Sequence, residues 1–361
     1  MSDAHDGAHA SAPPRPAPTA SSASSLLRAA RTARAFSSGS ASLDSLLVPA
    51  RSGGGSTSRT SQSPGLARGA LLDVVGAPGE GKSRIVLGFA VGARLRQQTA
   101  PDDVKGKAKA TPVLDDEREV LLIDTEGDLS ASALYAVALV QSQGNVALAR
   151  QACEGIHLMH ARSPEELMAV LLSISAWLDA HPRVQLVALD CLTTHLRTAL
   201  FPNLPPDPNT RANGGGPSTP TPSGSSASKK RSRGGWGSNA AGAEDDDQAA
   251  LRTHLIATIK RVLTQMTAAR NLSVVVTNQV ASMHKNALGQ RVKPSQADQT
   301  VYVPQLGHLW QPPTTYRVFL FGDTDGSRIA GLYEAPGSSE RRYVQYEVDA
   351  GGVCDVESIA S

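Results

Sequence analysis

Aromatic side chains are scarce: Phe, Trp and Tyr together make up 4% of the 361 residues. A core with so few rings must rest on Leu, Val, Ala and Ile. Cysteine is nearly absent as well. Cys153, Cys191 and Cys354 are too few and too scattered for a disulfide framework or a zinc pattern, which points to a reducing compartment. No apolar run approaches the ~20 residues that a helix needs to span a bilayer, so no membrane partner is expected. A surplus of charge is missing too, since 35 Lys and Arg face 33 Asp and Glu for a formal +2. That balance makes no electrostatic case for nucleic acid by itself. No internal repeat of fixed period is visible.

Large apolar residues are also missing from two stretches, residues 1–25 and about 203–249, where Ser, Ala, Gly, Pro and Thr dominate. Such segments cannot bury enough surface to offset the entropy of ordering. The expectation is a disordered N-terminus over 1–35 and one domain over 36–361, interrupted by a disordered insert at about 203–249. Further insertions at 50–68 and 99–118 read as surface loops. Two short stretches resemble addresses. Lys229, Lys230, Arg231, Ser232 and Arg233 form a basic cluster of nuclear-import type, or a plain solvated charge run. The Arg-rich, acid-free stretch from Leu26 to Phe36 is like part of a transit peptide, or a surface helix. A nuclear location with a minor mitochondrial pool follows as an expectation.

What is present is strand and helix in alternation. Five short apolar runs, 70–75, 119–124, 156–160, 184–190 and 272–277, read as strands covered on both faces. Helical patterns separate them at 83–97, 131–152, 163–180 and 249–270. The third opens with Ser163 and Pro164, an N-cap followed by proline in the first turn. This predicts an α/β fold with a mostly parallel, doubly wound sheet. Beyond residue 315, strand runs at 316–321, 328–334 and 342–348 follow without helices, so antiparallel strands extend one edge.

Between the first strand and the first helix stand Gly76, Ala77, Pro78, Gly79, Glu80, Gly81, Lys82 and Ser83, a match to G-x-x-x-x-G-K-[ST]. Glycines allow several backbone N–H groups to converge on one anion, Lys82 would reach the β- and γ-phosphates of ATP, and the Ser83 hydroxyl would ligate Mg²⁺. The plainer reading is a Gly-rich turn that happens to contain a lysine. Three further strands end in polar groups. The run from Val120 to Asp124 leads into Thr125, Glu126 and Gly127, and a carboxylate at Glu126 could orient and deprotonate a water attacking phosphate. Asp124 reads as its structural neighbour. The run from Val184 to Asp190 places Asp190 where an acid assists the metal. The run from Leu272 to Thr277 ends in Asn278 and Gln279, amides able to sense a terminal phosphate.

In that order, GAPGEGKS, LLIDTEG, LVALD and VVVTNQV resemble the ATPase core of RecA-type recombinases. The segment from Phe36 to Leu47, the stretch from Val303 to Trp310 with Thr315–Val318, and the tail from Arg328 to Val353 are similar to the eukaryotic recombinase paralogs. The likeness covers about 36–355 without the inserts. It implies a RecA-like P-loop ATPase with ATP and Mg²⁺ as cofactors, Lys82 and Ser83 on triphosphate and metal, Glu126 activating water, and Asp190 assisting the metal. It implies that Gln279 couples the terminal phosphate to the loop that follows. It also implies DNA loops at about 198–250 and 280–304, and partners that include single-stranded DNA, recombination intermediates, other paralogs and the strand-exchange recombinase. In the second loop Lys285, Arg291 and Lys293 are candidate phosphate contacts, with Tyr302 a nearby ring for stacking.

The chain departs from that pattern where no N-terminal helical DNA-binding lobe and no F-x-x-A polymerisation motif are found, and where Cys191 follows the acid. A partner chain is therefore expected to complete the site, with Trp310 either its apolar anchor or a core residue. Two other readings stay open: a scaffold subunit that holds nucleotide with little hydrolysis, and a small-molecule kinase. The kinase would need an Arg-rich lid that is not evident.

Overall fold

The computed structural model describes residues 34–48, 63–98, 111–200, 240–290, 292, 294–306, 310, 315–323, 325–336 and 338–356, which fall in one compact unit, Arg34–Ser361. Seven helices and seven strands build the part that frames the site. In chain order they are α1 (Ala41–Leu46), β1 (Leu71–Gly76), α2 (Lys82–Arg94), β2 (Leu95–Gln98), β3 (Thr111–Leu114), β4 (Glu119–Asp124), α3 (Ala131–Gln141), α4 (Val146–Glu154), β5 (Ile156–His160), α5 (Pro164–Ala180), β6 (Val184–Asp190), α6 (Leu192–Leu200) and β7 (Ser273–Lys285), with α7 (Ala240–Arg270) preceding β7. There follow β8 (Gln299–Pro304), β9 (Thr315–Gly322), β10 (Arg328–Glu334), β11 (Arg342–Asp349) and β12 (Gly352–Asp355).

The main sheet runs β12-β11-β10-β9-β1-β7-β6-β4-β5. Its six central strands, from β9 to β5, pair in parallel, and β10, β11 and β12 extend one edge antiparallel. This is a mixed α/β fold with a mostly parallel centre. Alternation along the strands divides the core in two. Leu122, Leu72 and Val318 join Val86 and Phe89 of α2 and Leu134 of α3 on one face. Leu121, Ile123 and Val276 join Leu171 of α5, Leu196 of α6 and Leu263 of α7 on the other. With both faces covered, β1, β4, β6 and the first half of β7 can be apolar at nearly every position, which is why their runs showed little alternation. Strand β5, by contrast, is an edge strand without a buried residue, so the cover expected on both its faces is not found.

Several boundaries differ from the expectation, each for a local reason. The helix expected over 131–152 is two helices, because Gln143 and Gly144 adopt φ of 55° and 81° and break the ladder after Ser142. Helix α2 ends at Arg94, and Leu95–Gln98 pairs antiparallel with Thr111–Leu114, so part of the presumed 99–118 loop is strand. Within the presumed 50–68 loop, Leu66 is fully buried and bridges Phe36 in both backbone directions. Helix α7 starts at Ala240, so the last ten residues of the expected insert are helical. Residues 201–239, the N-terminal stretch 1–33 and both address-like clusters (apart from its last residues, 34–36) lie outside the described residues. Strand β7 runs on to Lys285 and pairs with β8 from Val280↔Pro304 to Lys285↔Gln299, so the expected second loop is a hairpin.

One side-chain network ties the sheet together away from its edge. Asp73, in the middle of β1, is fully buried, and Arg317 stands beside it in register on β9. Arg317 Nε donates to Asp73 Oδ2 at 2.9 Å, Trp310 Nε1 donates to the same oxygen at 3.0 Å, and Asn278 Nδ2 donates to Oδ1 at 2.5 Å. Arg317 also donates to the Trp310 carbonyl at 2.6 Å and to Glu334 at 2.9 Å. Burial still holds the Asp73 carboxyl above its ordinary range, against the pull of Arg317 and the other donors. Trp310 is fully buried here and is a core residue rather than a surface anchor.

Candidate functional site

The carboxyl ends of β1, β4, β6 and β7 lie side by side, and the polar groups that end these strands meet there. The glycine loop from Gly76 to Gly81 joins β1 to α2. Gly79 and Gly81 sit at φ 87° and 85°, a region in which side-chain-bearing residues are strained. A Cβ at Gly81 would also come within 2.6 Å of Val348. Helix α2 has no side-chain cap, whereas α1, α3, α4 and α5 are each capped by Ser40, Ser130, Asn145 and Ser163. The first N–H groups of α2 therefore lack the side-chain acceptor that those four helices possess.

Lys82 is the first residue of α2 and is nearly buried, with Nζ donating to the Ala77 carbonyl of its own loop at 2.9 Å. Burial lowers its pKa, and the facing Cys191, Asp190, Glu126 and Glu80 raise it in opposition. Asp190, at the end of β6, is 1% exposed. Its Oδ1 accepts from Thr277 Oγ1 at 2.6 Å. Its Oδ2 is buried without a hydrogen bond of ordinary geometry, although the Ser83 hydroxyl stands close enough to favour the ionised form. Burial dominates and raises the Asp190 carboxyl above its usual range. A buried acid oxygen with an open valence costs energy unless something else satisfies it.

Glu126 projects from the turn after β4 and is exposed. Thr194 Oγ1 donates to its Oε1 at 2.6 Å, and Gln279 Nε2 donates to the same oxygen at 3.2 Å. The turn that presents Glu126 is made by Asp124, whose carboxylate accepts the N–H groups of Glu126, Gly127 and Leu129. Asp124 is thus the structural neighbour expected. Cys191 adopts φ 58° directly after Asp190, and its backbone N–H donates to Thr277 Oγ1 at 2.7 Å. Its sulfur lies 3.0 Å from Thr194 Oγ1 and 3.4 Å from Gln279 Nε2. Burial, then the Glu126 charge, pushes its thiol up to about 12, so it is a protonated packing group at neutral pH.

Lys82, Ser83, Glu126, Asp190 and Gln279 are therefore brought to one edge. Thr193, Thr194 and Thr277 complete the cluster and were not singled out from sequence. The available signal was the Thr193–Thr194 pair three residues after Asp190 and the single Thr277 that closes the Val274–Val276 run. Among the described residues no cluster of three or more His, Cys, Asp or Glu could hold a metal. The donors present are one hydroxyl and one unsatisfied carboxylate oxygen, a set that suits a hard cation completed by non-protein oxygens. Of the candidate DNA contacts, Lys285 ends β7 on the hairpin. Arg291 and Lys293 lie outside the described residues. Tyr302 pairs with Ser282, three positions down the ladder from Lys285, so the two do not form one patch.

No family model matches the chain, and a search of curated proteins gives no match.

Proposed function

We propose that the chain is a RecA-like P-loop ATPase whose loop from Gly76 to Ser83 binds a nucleoside triphosphate and whose Glu126 promotes its hydrolysis. The observation that carries this reading is the convergence of Lys82, Asp190, Glu126 and Gln279 from four separate elements on one uncapped helix N-terminus. The N–H groups of α2 and the loop donate to phosphate oxygens. Lys82 releases the Ala77 carbonyl and turns to the β/γ-phosphates. Mg²⁺ would be held by the Ser83 hydroxyl and the open oxygen of Asp190, and when bound it supplies neutralisation of phosphate charge. Glu126 accepts the proton of a water poised for attack, and Gln279 reports the state of that water to the β7–β8 hairpin.

The motif order supports a finer reading. The chain acts in homologous recombination as a DNA-dependent ATPase in the nucleus, binding single-stranded DNA and recombination intermediates. It assists filament assembly together with other paralogs and the strand-exchange recombinase. Two features favour a second reading, a scaffold subunit with little turnover: Oε1 of Glu126 already accepts two hydrogen bonds, and Lys82 is tied to its own loop.

Glu126→Gln separates the two. An amide cannot accept the water's proton, so ATP binding should persist while hydrolysis falls at least ~100-fold. Equal hydrolysis in the variant would remove Glu126 from this role, and negligible wild-type hydrolysis with intact binding selects the scaffold. For DNA, affinity for single strands should fall with salt, and Lys285→Ala should reduce the log–log slope by about 0.7. An unchanged slope would assign the contact elsewhere.

A further inference from the structure

A cavity of about 470 Å³ opens beside the glycine loop. Ala77 and Glu80 of the loop form one wall, Val280 and Tyr302 of the hairpin another, and the ends of β9 and β10 the third. Alternation on β9 sends Tyr316, Val318 and Leu320 into the core beside α2 and leaves Phe319 and Phe321 on the opposite face, partly exposed. Phe319 and Tyr333 pack with ring centroids 4.6 Å apart, and Tyr302 is 63% exposed at the rim. In a chain with so few aromatics, four rings line this one hollow.

Two carboxylates share it. Glu80 Oε1 lies 3.5 Å from where a Cβ on Gly322 would stand, and the Glu80 side chain makes no hydrogen bond or ion pair among the described residues. Asp323 is exposed at the mouth. One of these rings already carries a guanidinium of the chain itself: Arg341 Cζ sits 5.0 Å over Tyr333. Ring faces are negative, and with acids at a wet mouth they suit a cation on an apolar stem. Backbone phosphates would be repelled by the same acids, which argues against nucleic acid here. A guanidinium fits better than an ammonium, because it stacks flat on rings while its fork engages carboxylates.

We propose that this cavity docks an arginine side chain of a protein partner, with its guanidinium against the Tyr302 and Phe319 rings beside the pair Arg341 makes with Tyr333, and paired with Glu80 and Asp323. The partner then adjoins the glycine loop through Glu80. The inference uses only these side chains and holds whether or not the loop takes a nucleotide.

The test is aromatic-ring NMR on the full-length chain, titrated with a blocked Gly-Arg-Gly peptide, the same peptide with neutral citrulline for arginine, and a short oligo(dT). Saturable shifts of the Tyr302 and Tyr333 rings are expected from the arginine peptide, with binding at least roughly fivefold weaker for citrulline. Asp323→Asn, Glu80→Gln and Tyr302→Ala should each weaken it roughly two- to fivefold. A melting curve on each variant checks that the fold is retained. Equal affinity for arginine and citrulline, or no saturable shift, would overturn the proposal. So would ring shifts from oligo(dT) that strengthen when the two acids are neutralised. ATP binding, measured in parallel, separates any failure here from failure of the nucleotide reading.

Discussion

Asp190 shows how a single residue carries opposing demands. Its carboxyl is buried, one oxygen is unsatisfied, and burial holds its pKa above the unfolded value of about 3.8. A carboxyl raised in the folded state binds protons more tightly there than in the unfolded chain. Its contribution to stability is therefore lost as pH rises from the unfolded pKa through the folded one. Asp190→Asn removes that charge and should stabilise the nucleotide-free protein while abolishing hydrolysis. The gain is absent in acid, grows from about pH 4 until the folded pKa is passed, and is then constant. About 1 kcal/mol would appear as roughly 2–4 °C in a domain of this size. Melting curves across pH check it, and a variant that melts below the wild type at neutral pH would show that the Asp190 charge is paired well enough to be worth its burial. Cys191 belongs to the same scale. It is protonated, packed against Thr194 and Gln279, and unsuited to act as a nucleophile.

At the scale of elements, the join between β1 and β9 depends on a buried ion pair. Breaking a buried pair by removing one partner typically costs about 3–5 kcal/mol, whereas replacing both with apolar residues is often neutral. Arg317→Met should thus destabilise strongly, because it leaves Asp73 buried with only Trp310 and Asn278. Asp73→Leu combined with Arg317→Met should recover most of the loss. Denaturant unfolding of the two single variants and the double variant measures the coupling, and additive losses would mean that the pair does not act as a unit. This network also marks the limit of what the sequence reveals. The five expected strands, the antiparallel β10 and β11 and the helix opening at Ser163 were legible because each leaves a local trace: apolar runs, turn residues and a cap. Strand β9, expected with the antiparallel edge, instead pairs in parallel with β1, and β5 lies at the sheet's edge rather than in its core. The polar strand ends at Glu126, Asp190 and Gln279 were legible for the same reason. Asp73 and Arg317 each interrupt an apolar run, a visible signal, but their pairing is set by the register of strands about 240 residues apart. The break at Gln143, the start of α7 at Ala240 and the extension of β7 to Lys285 were missed because polar or Ala-rich sequence is compatible with helix, strand or loop, and tertiary pairing decides.

Across the whole molecule, a sheet flanked by helices on both faces gathers four strand ends at one rim and leaves an aromatic, acid-lined hollow beside it. On this account the rim takes a nucleoside triphosphate, and the hollow is where a partner meets it. The nucleotide claim is the foundation, and equilibrium titration of the purified chain with ATP tests it most directly, with Lys82→Ala alongside. Lys82 is nearly buried and its charge is disfavoured by that burial, so the variant should fold at least as well as the wild type. A lost charge-assisted contact of about 1.5–3 kcal/mol corresponds to roughly 10- to 100-fold in affinity. The account predicts saturable binding of ATP by the wild type and a loss of that size in Lys82→Ala at unchanged melting temperature. No binding by the folded wild type, or equal affinity in the two proteins, would contradict it.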